Sequence, residues 1–285
     1  MGKYKDRMTE DLQLRGYSAR TCRHYIGCAR SFVAYHMRSP DELGERDVRQ
    51  FLLHLSQERK VGPATVKMHT AAIKFLYTHT LDRPEVVAKI PYIKVPYRLP
   101  EILAGSEVDA ILANMETIAF RAIVMTTYGA GLRISEVCPL EVPDLDTKRM
   151  IMRIRGKGNR ERFVALPEQV LSTLRMYWRE TRPKGPILFP GQQVGTCVSH
   201  DAVRANLKAA AVKAKVKKHV TPHALRHAFA THLLELGTDI RIIQMLLGHR
   251  SMRTTLRYTR VTPRLVAGTT SPIDVPPEVR KQKLG

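Results

Sequence analysis

The chain has 285 residues, of which 44% are hydrophobic, and 47 lysines and arginines against 26 aspartates and glutamates give a formal net charge of +21. This apolar fraction is sufficient for a packed core, so the composition excludes a globally disordered chain. No apolar run reaches the roughly 18 residues that span a bilayer, and the first residues, MGKYKDRMTE, lack the apolar segment of a secretory signal. We therefore expect a cytoplasmic protein of one or two domains with no membrane partner.

The positive charge is shared between both halves of the chain. Residues 1–98 contain 18 basic and 10 acidic residues, and residues 99–285 contain 29 and 16. A disordered basic arm would concentrate the charge in one block, whereas this distribution indicates two basic folded units. Because lysine and arginine bind phosphates with release of counterions, the charge favours a nucleic-acid partner over a generally basic protein without a specific partner.

Residues 1–83 predict a small bundle of helices. Ser18 is a candidate N-cap, and Pro63 suits the first turn of a later helix. Apolar residues recur at spacings of three and four, which is typical of helices with one buried face. The predicted stripes are Cys22, Tyr25, Ile26, Ala29, Phe32 and Val33; then Val48, Phe51, Leu52 and Leu55; then Val66, Ala72, Ile73, Leu76 and Tyr77, after a shorter helix around Met8 and Leu12.

Residues 84–100 predict an extended linker between two domains. Pro84, Pro91, Pro96 and Pro100 fall in this short stretch, and proline at this density cannot continue a helix.

Residues 101–262 contain both helical and strand patterns, so the predicted fold class is mainly α with a small β-sheet. The sequence Ser106-Glu107-Val108-Asp109 suggests a capping box, after which helical periodicity continues to about Tyr128. Residues 150–155 and 160–166 flank Gly156-Lys157-Gly158-Asn159, which predicts a β-hairpin with a glycine-rich turn. Further helices are expected near 168–180 and 200–216, from Thr221-Pro222 to Gly237, from Asp239 to Leu247 and from Ser251. The tail, 263–285, bears prolines and is weakly periodic.

Two candidate functional residues lie near turns of the second unit. Arg133 follows the Gly129-Ala130-Gly131 turn at a helix start, and Glu136 lies on the same face. An arginine there opposes the helix dipole, so either an anion such as a phosphate binds it or it forms a structural pair with Glu136. Lys157 lies at the hairpin tip, where a solvated turn lysine is locally the simpler explanation.

His223, Arg226 and His227 fall on one face of a predicted helix. A zinc site needs neutral histidines without a cation among them, whereas a phosphate site suits arginine and histidine together. The four cysteines show no CxxC spacing, which predicts buried free thiols rather than disulfides or a zinc ribbon. We therefore predict no metal site and no cofactor. Local sequence does not separate His249 and Tyr258 from structural residues.

The motifs GLRISE, GKGNRER, HALRH, LGH and TTLRYT, in this order, resemble those of the tyrosine recombinase (phage integrase) family. The resemblance covers nearly the whole chain and is strongest to compact, Xer-like members. It implies that residues 1–83 form a helical core-binding (SAM-like) domain and that residues 101–262 form a mixed α+β catalytic domain. It also implies a site-specific DNA recombinase that cuts and rejoins double-stranded DNA through a covalent 3′-phosphotyrosine and a Holliday junction. Such enzymes self-assemble into a tetramer on two DNA sites, and an accessory recombinase or a DNA-bending protein can take part.

The resemblance further implies the residues that act at the scissile phosphate. Arg133 and Arg226 would clamp it, His249 would hydrogen-bond one of its oxygens and Tyr258 would attack phosphorus.

The remaining roles concern protons and support. By the same resemblance, Lys157 would protonate the leaving 5′-hydroxyl and His223 would help to move the proton of the nucleophile. Glu136 matches a supporting acidic position, and His227 is expected to support its neighbours rather than to react.

Two alternatives remain open at this point. One is DNA relaxation of the type IB topoisomerase kind, and the other is a catalytically silent DNA-binding accessory protein. The family often has a helix after the nucleophile that docks on a neighbouring subunit, but Pro263, Pro272, Pro276 and Pro277 interrupt that region here, which leaves the mode of assembly open. The sequence has no cluster of carboxylates for two Mg²⁺ ions, which argues against a two-metal nuclease.

Overall fold

The computed structural model describes residues 2–96, 101–156, 160–249 and 251–256. The chain divides into two compact units, Met1–Arg98 and Leu99–Gly285.

The first unit is helical, as its apolar periodicity predicts. Its helices are α1 (Gly2–Leu14), α2 (Ala19–His36), α3 (Glu45–Leu53), α4 (Pro63–Phe75) and α5 (Glu85–Ala88). A 3-10 turn, Pro40–Glu42, precedes α3, and π-helical turns at His54–Glu58 and Leu76–Thr80 extend α3 and α4.

Aromatic packing forms the centre of this unit. The ring of Phe32 meets those of Phe51 and Tyr77 edge to face, at centroid distances of 5.4 and 6.2 Å. The buried Tyr77 hydroxyl donates to the Pro40 carbonyl oxygen at 2.9 Å, so its polar end is satisfied inside the core. At the start of α2, the Ser18 hydroxyl accepts from the Thr21 backbone N–H, which confirms the predicted N-cap.

The predicted extended linker, 84–100, needs a correction at its beginning. Glu85–Ala88 is a helical turn, α5, and Pro84 stands at its N-cap, where proline is compatible with a helix start. Val86, Val87 and Ile90 are buried in the core of the first unit. The gain from burying these apolar side chains therefore keeps the start of the stretch folded on the bundle.

The second unit combines helices with a small sheet, which confirms the predicted fold class. Its helices are α6 (Gly105–Ala113), α7 (Ile118–Gly129), α8 (Ile134–Val137), α9 (Glu168–Thr181), α10 (His200–Lys213), α11 (Pro222–Glu235), α12 (Ile240–Leu247) and α13 (Met252–Thr255). Its strands are β1 (Leu145–Asp146), β2 (Ile151–Gly156) and β3 (Arg160–Ala165), and Val142–Asp144 forms a 3-10 turn.

The strands form one antiparallel sheet in the order β1-β2-β3. The β2–β3 pairing runs from Ile151 opposite Ala165 to Gly156 opposite Arg160, which confirms the predicted hairpin. Strand β1 was not predicted, because two residues are too few for a recognisable alternation. The inner face of the sheet contributes Met152, Ile154 and Val164 to a core that also contains apolar residues of α7 and α9.

The predicted start and continuity of the first helix in this unit are both corrected. Helix α6 begins at Gly105, one residue before Ser106, and the Glu107 carboxylate accepts the Ala104 backbone N–H at 2.7 Å. Thr117 then caps a separate helix, α7, by accepting from the Phe120 N–H, so the periodic stretch is two helices rather than one. The apolar pattern persists across the break because both helices face the core, and the pattern alone did not reveal it.

All four cysteines are free. Cys22, Cys28 and Cys138 are buried as predicted, whereas Cys197 lies in the loop before α10 and is only partly buried. Burial raises the pKa of the Cys138 thiol to about 12. In the described parts of the chain, no helix has the length and the apolar character needed to cross a membrane.

Candidate active site

A glycine turn places Arg133 at the beginning of α8. Gly131 has φ of +63°, and a Cβ there would lie 2.3 Å from ring carbons of Phe229, so both the backbone angle and the space call for glycine. Arg133 is the N-cap residue of α8, and its backbone N–H donates to the Glu136 carboxylate at 2.8 Å. The guanidinium of Arg133 also donates to Glu136, from Nη1 to Oε1 at 2.8 Å. The pair of Arg133 and Glu136, one of the two alternatives open for Arg133, is therefore formed in the structure.

Glu136 is the centre of a larger cluster. In the described part of the second unit, three guanidinium groups approach its carboxylate, and they belong to Arg133, Arg162 and Arg226. Arg162 donates to both oxygens at 2.9 Å, and Arg226 Nη1 lies 3.6 Å from Oε2. We call Glu136, Arg133, Arg162 and Arg226 the arginine cluster.

The members of the arginine cluster differ in exposure. The side chains of Glu136, Arg226 and Arg162 are 4%, 1% and 15% exposed, while that of Arg133 is 41% exposed. Three positive charges thus face one negative charge, and the excess reaches the surface at Arg133. The arrangement suits binding of an anion such as a phosphate diester.

Protonation of Glu136 would remove the negative charge at the centre of the cluster. Burial by itself would raise the pKa of Glu136, but the hydrogen bonds and charge of Arg162, together with Arg133, hold it below its ordinary value. The carboxylate is therefore ionised at neutral pH.

The C-terminal end of α12 provides backbone acceptors for the same guanidinium groups. Arg162 Nε donates to the Leu246 carbonyl at 2.9 Å, and Arg226 Nη2 donates to the Leu247 carbonyl. Arg226 Nη1 donates in addition to the Gly131 carbonyl at 2.7 Å. Helix C-termini leave such carbonyls without intrahelical partners and favour positive charge, so α12 and the arginines stabilise one another.

Gly248 ends α12 and leads directly to His249. Its φ of +61° is left-handed, and a Cβ would lie 3.1 Å from Arg162 Cδ, so a side chain at this position would press on Arg162. The Gln244 amide donates to the His249 carbonyl at 3.0 Å, and His249 Nδ1 lies 3.0 Å from Thr255 Oγ1 on α13. His249 therefore follows directly on Gly248, which lies against Arg162 of the arginine cluster.

His223 and His227 lie one turn apart on α11. Thr221 caps this helix by accepting from the Ala224 N–H, as predicted from the Thr-Pro start. The two imidazole rings are 4.2 Å apart at a steep angle; His223 is exposed and His227 is buried. Arg226 lies on the same helix and points into the arginine cluster, so α11 joins the two histidines to that cluster.

Lys157 and Tyr258 lie outside the described residues. The strands on either side of Lys157 end at Gly156 and begin again at Arg160, and α13 ends at Thr255. The predicted roles of both residues stay predictions.

Arg162 is the residue of the cluster that the sequence analysis did not single out. It lies in the GKGNRER segment, on the same face of β3 as Val164 and opposite Ile154, both of which are buried. An arginine at a core-facing position of a strand is the signal that could have identified it.

Within residues 2–96, 101–156, 160–249 and 251–256, no group of three or more His, Cys, Asp or Glu side chains is placed to hold a metal ion.

Comparison with protein families gives two matches that together cover most of the chain. Residues 101–264 match the phage integrase family, and residues 5–85 match the phage integrase N-terminal SAM-like domain.

Individual proteins are similar over nearly the same span. The integrase/recombinase y4qK of Sinorhizobium fredii is 41% identical over 279 residues, which are 97% of this chain and 90% of that protein. The tyrosine recombinase XerA of Pyrococcus furiosus is 35% identical over 256 residues, covering 88% of this chain and 87% of its own. The crystal structure of XerH recombinase in a post-cleavage complex with a palindromic difH substrate superimposes with a TM-score of 0.71 at 21% identity, over 88% of this chain and 79% of that one. This last likeness concerns the fold.

Proposed function

The chain belongs to the phage integrase family of tyrosine recombinases, and we propose that it cuts and rejoins duplex DNA at specific sites through a covalent 3′-phosphotyrosyl intermediate and a Holliday junction. The arginine cluster is the observation that carries this proposal. It concentrates positive charge beside Glu136 and brings that charge to the surface at Arg133. Structural relatives that were solved in complex with DNA, such as XerH on difH, support a DNA substrate.

Arg133 and Arg226 would act on the scissile phosphate. A phosphodiester is an anion and repels a nucleophile, and negative charge increases on its non-bridging oxygens as the pentacoordinate transition state forms. Arg133 is exposed enough to contact DNA directly. Arg226 is buried, so its contact with the phosphate requires that the groups covering it move when DNA binds. His249, on the adjoining turn, would donate a third hydrogen bond.

Tyr258 would be the nucleophile. Its oxygen forms the new bond to phosphorus while the bond from phosphorus to the 5′ oxygen breaks. A tyrosine with an ordinary pKa of about 10 is ionised to about one part in a thousand at neutral pH, so a base must accept its proton. His223 would do this from the exposed face of α11, with the buried His227 beside it.

Lys157 would give a proton to the departing 5′ oxygen. The phosphotyrosine conserves the energy of the broken bond, so attack by a 5′-hydroxyl of a second strand rejoins the DNA without ATP. Each of the two DNA sites has two strands to be cleaved, so strand exchange needs four protomers, and we propose a tetramer on two duplexes. The unit Met1–Arg98 would contribute further phosphate contacts.

The test is covalent trapping on DNA. A duplex that the protein prefers is first selected from a random pool. It is then synthesised with a nick a few nucleotides to the 3′ side of the cleaved phosphate, so that the short fragment with the 5′-hydroxyl diffuses away. The wild-type protein should form an adduct that survives denaturant, and Tyr258→Phe should bind the duplex without forming it.

Tyr177→Phe is the matched control, because Tyr177 is buried on α9 and its hydroxyl donates to the Leu188 carbonyl at 2.9 Å. This variant should form the adduct. An adduct in Tyr258→Phe would contradict the assignment of Tyr258 as the nucleophile. A separate assay tests the alternative activity: relaxation of a supercoiled plasmid that lacks the selected site would favour a topoisomerase-like enzyme.

A further inference from the structure

Arg162 occupies a core-facing position of the hairpin. Its partner across the β2–β3 pairing is Ile154, which is fully buried, and the Arg162 side chain is 15% exposed. A guanidinium at such a position loses most of its hydration and must be compensated by close hydrogen bonds and opposite charge. The contacts of Arg162 therefore indicate the role of this buried guanidinium.

The contacts of Arg162 use three nitrogens of its guanidinium group. Nη1 and Nη2 each donate to a different oxygen of Glu136 at 2.9 Å, and Nε donates to the Leu246 carbonyl at 2.9 Å. Such a fork fixes both the plane and the position of the carboxylate, which a lysine ammonium cannot do.

Arg162 holds the carboxylate that orients Arg133 and the carbonyl next to the one that accepts from Arg226. Glu136 accepts from the backbone and the guanidinium of Arg133 at 2.8 Å. The next carbonyl after Leu246, that of Leu247, accepts from Arg226. Without the fork, the carboxylate would keep only its bonds from Arg133 and the nearby Arg226, so its plane and the direction of Arg133 would be less strictly fixed.

We propose that Arg162 is a positioning residue for strand cleavage, which acts through Glu136 to hold Arg133 and Arg226 on the scissile phosphate. This inference rests on the proposed function. The competing hypothesis is that Arg162, which is on β3 and close in sequence to Lys157, positions that proton donor instead. The two hypotheses predict opposite results on two modified DNA substrates.

The experiment measures single-turnover cleavage at saturating DNA, on three versions of the selected duplex. One is unmodified. One has sulfur in place of the bridging 5′ oxygen, and since a thiolate leaves without a proton, this substrate restores variants that lack proton donation. One has a methylphosphonate at the scissile position, which removes a negative non-bridging oxygen and so reduces the need for well-placed arginines.

Arg162→Gln should bind DNA with unchanged affinity and cleave the unmodified duplex about 10–100-fold more slowly, the usual cost of a misplaced reacting group. Its defect should persist on the sulfur substrate and shrink on the methylphosphonate. Lys157→Ala should show the reverse. Arg162→Lys, which keeps the charge but not the fork, should recover only part of the rate, and it takes the place of Arg162→Gln if melting shows that the latter is unfolded.

Arg155→Gln is the matched control. Arg155 is on β2 of the same hairpin, but its ion pairs are with Glu141, Asp144 and Glu161, at 3.2, 3.3 and 3.9 Å. It should cleave at the wild-type rate when DNA is saturating. Recovery of Arg162→Gln on the sulfur substrate, or its normal cleavage of unmodified DNA, would overturn the inference. If the wild-type protein cleaves none of the duplexes, the proposed function fails, and this inference fails with it.

Discussion

The hydroxyl oxygen of Thr255 lies 3.0 Å from Nδ1 of His249, and Thr255 is fully buried. Thr255 precedes Tyr258 by three residues. The bond therefore links a residue just before the proposed nucleophile to a histidine beside the arginine cluster. If the hydroxyl donates to Nδ1, the ring proton is on Nε2, from which it can be donated to a phosphate oxygen.

Replacement of Thr255 by valine should slow cleavage about threefold to tenfold, the usual worth of one hydrogen bond, because the shape is kept and the hydroxyl is lost. Thr255→Ser, which keeps the hydroxyl, should remain near the wild-type rate. Single-turnover cleavage of the selected duplex measures both. Equal rates in the valine and serine variants would show that the bond has no part in orienting His249.

Cleavage should persist in excess EDTA, because Arg133 and Arg226 supply the positive charge at phosphorus. Arg133→Ala or Arg226→Ala should each lower the cleavage rate by about 100-fold or more, since each removes a charge-assisted contact to the transition state. DNA affinity in a gel-shift assay should fall far less, because many other phosphate contacts remain. Loss of cleavage on chelation, with recovery on addition of Mg²⁺, would contradict this mechanism.

Stability should depend on pH through Glu136. Its pKa is below the ordinary 4.5 in the folded protein, where burial opposes ionisation but Arg162 and Arg133 favour it. A carboxylate whose pKa is lowered by folding stabilises the folded state at pH values above its pKa in the unfolded chain. This contribution is lost as the pH falls through its pKa in the folded protein. The free energy of unfolding of the wild-type protein should therefore decline below about pH 4.5.

Glu136→Gln isolates this contribution. At neutral pH it should lower the free energy of unfolding by about 3–5 kcal/mol, because it leaves three guanidinium groups without their buried counter-charge. The difference from wild type should shrink with acid. Glu161→Gln is the control, since Glu161 is about half exposed and 3.9 Å from Arg155, and it should change stability by less than about 1 kcal/mol. Denaturant titrations between neutral and acidic pH provide the measurement.

Gly131→Ala should destabilise the second unit for two reasons. The left-handed φ of +63° costs a non-glycine residue about 1–2 kcal/mol. The added methyl group also collides with the ring of Phe229 at 2.3 Å, which adds about 1–3 kcal/mol of overpacking. Gly195→Ala separates the two terms, because Gly195 has φ of +78° with open space around it. Thermal unfolding should show the larger loss for Gly131→Ala, and equal losses would mean that the Phe229 contact relaxes without cost.

Most of the secondary structure follows from local sequence. Periodicity and capping chemistry reveal features that depend on residues close together along the chain. These are the apolar stripes of α2 and α4, the cap at Ser18, the Thr221-Pro222 start of α11 and the β2–β3 hairpin. The order of motifs also pointed to the family. The apolar pattern does not reveal the interruption between α6 and α7, because both helices bury apolar faces in the same unit.

Which charges neutralise one another depends on the tertiary fold. Glu136 could be paired with Arg133 from sequence, because the two are three residues apart, but Arg162 is 26 residues away and Arg226 reaches the Gly131 carbonyl across 95 residues. Nothing local selects such partners, since any arginine in the chain could satisfy any carboxylate. The choice follows from packing β3, α8, α11 and the end of α12 around one buried carboxylate, where an ion without its partner would be too costly to keep.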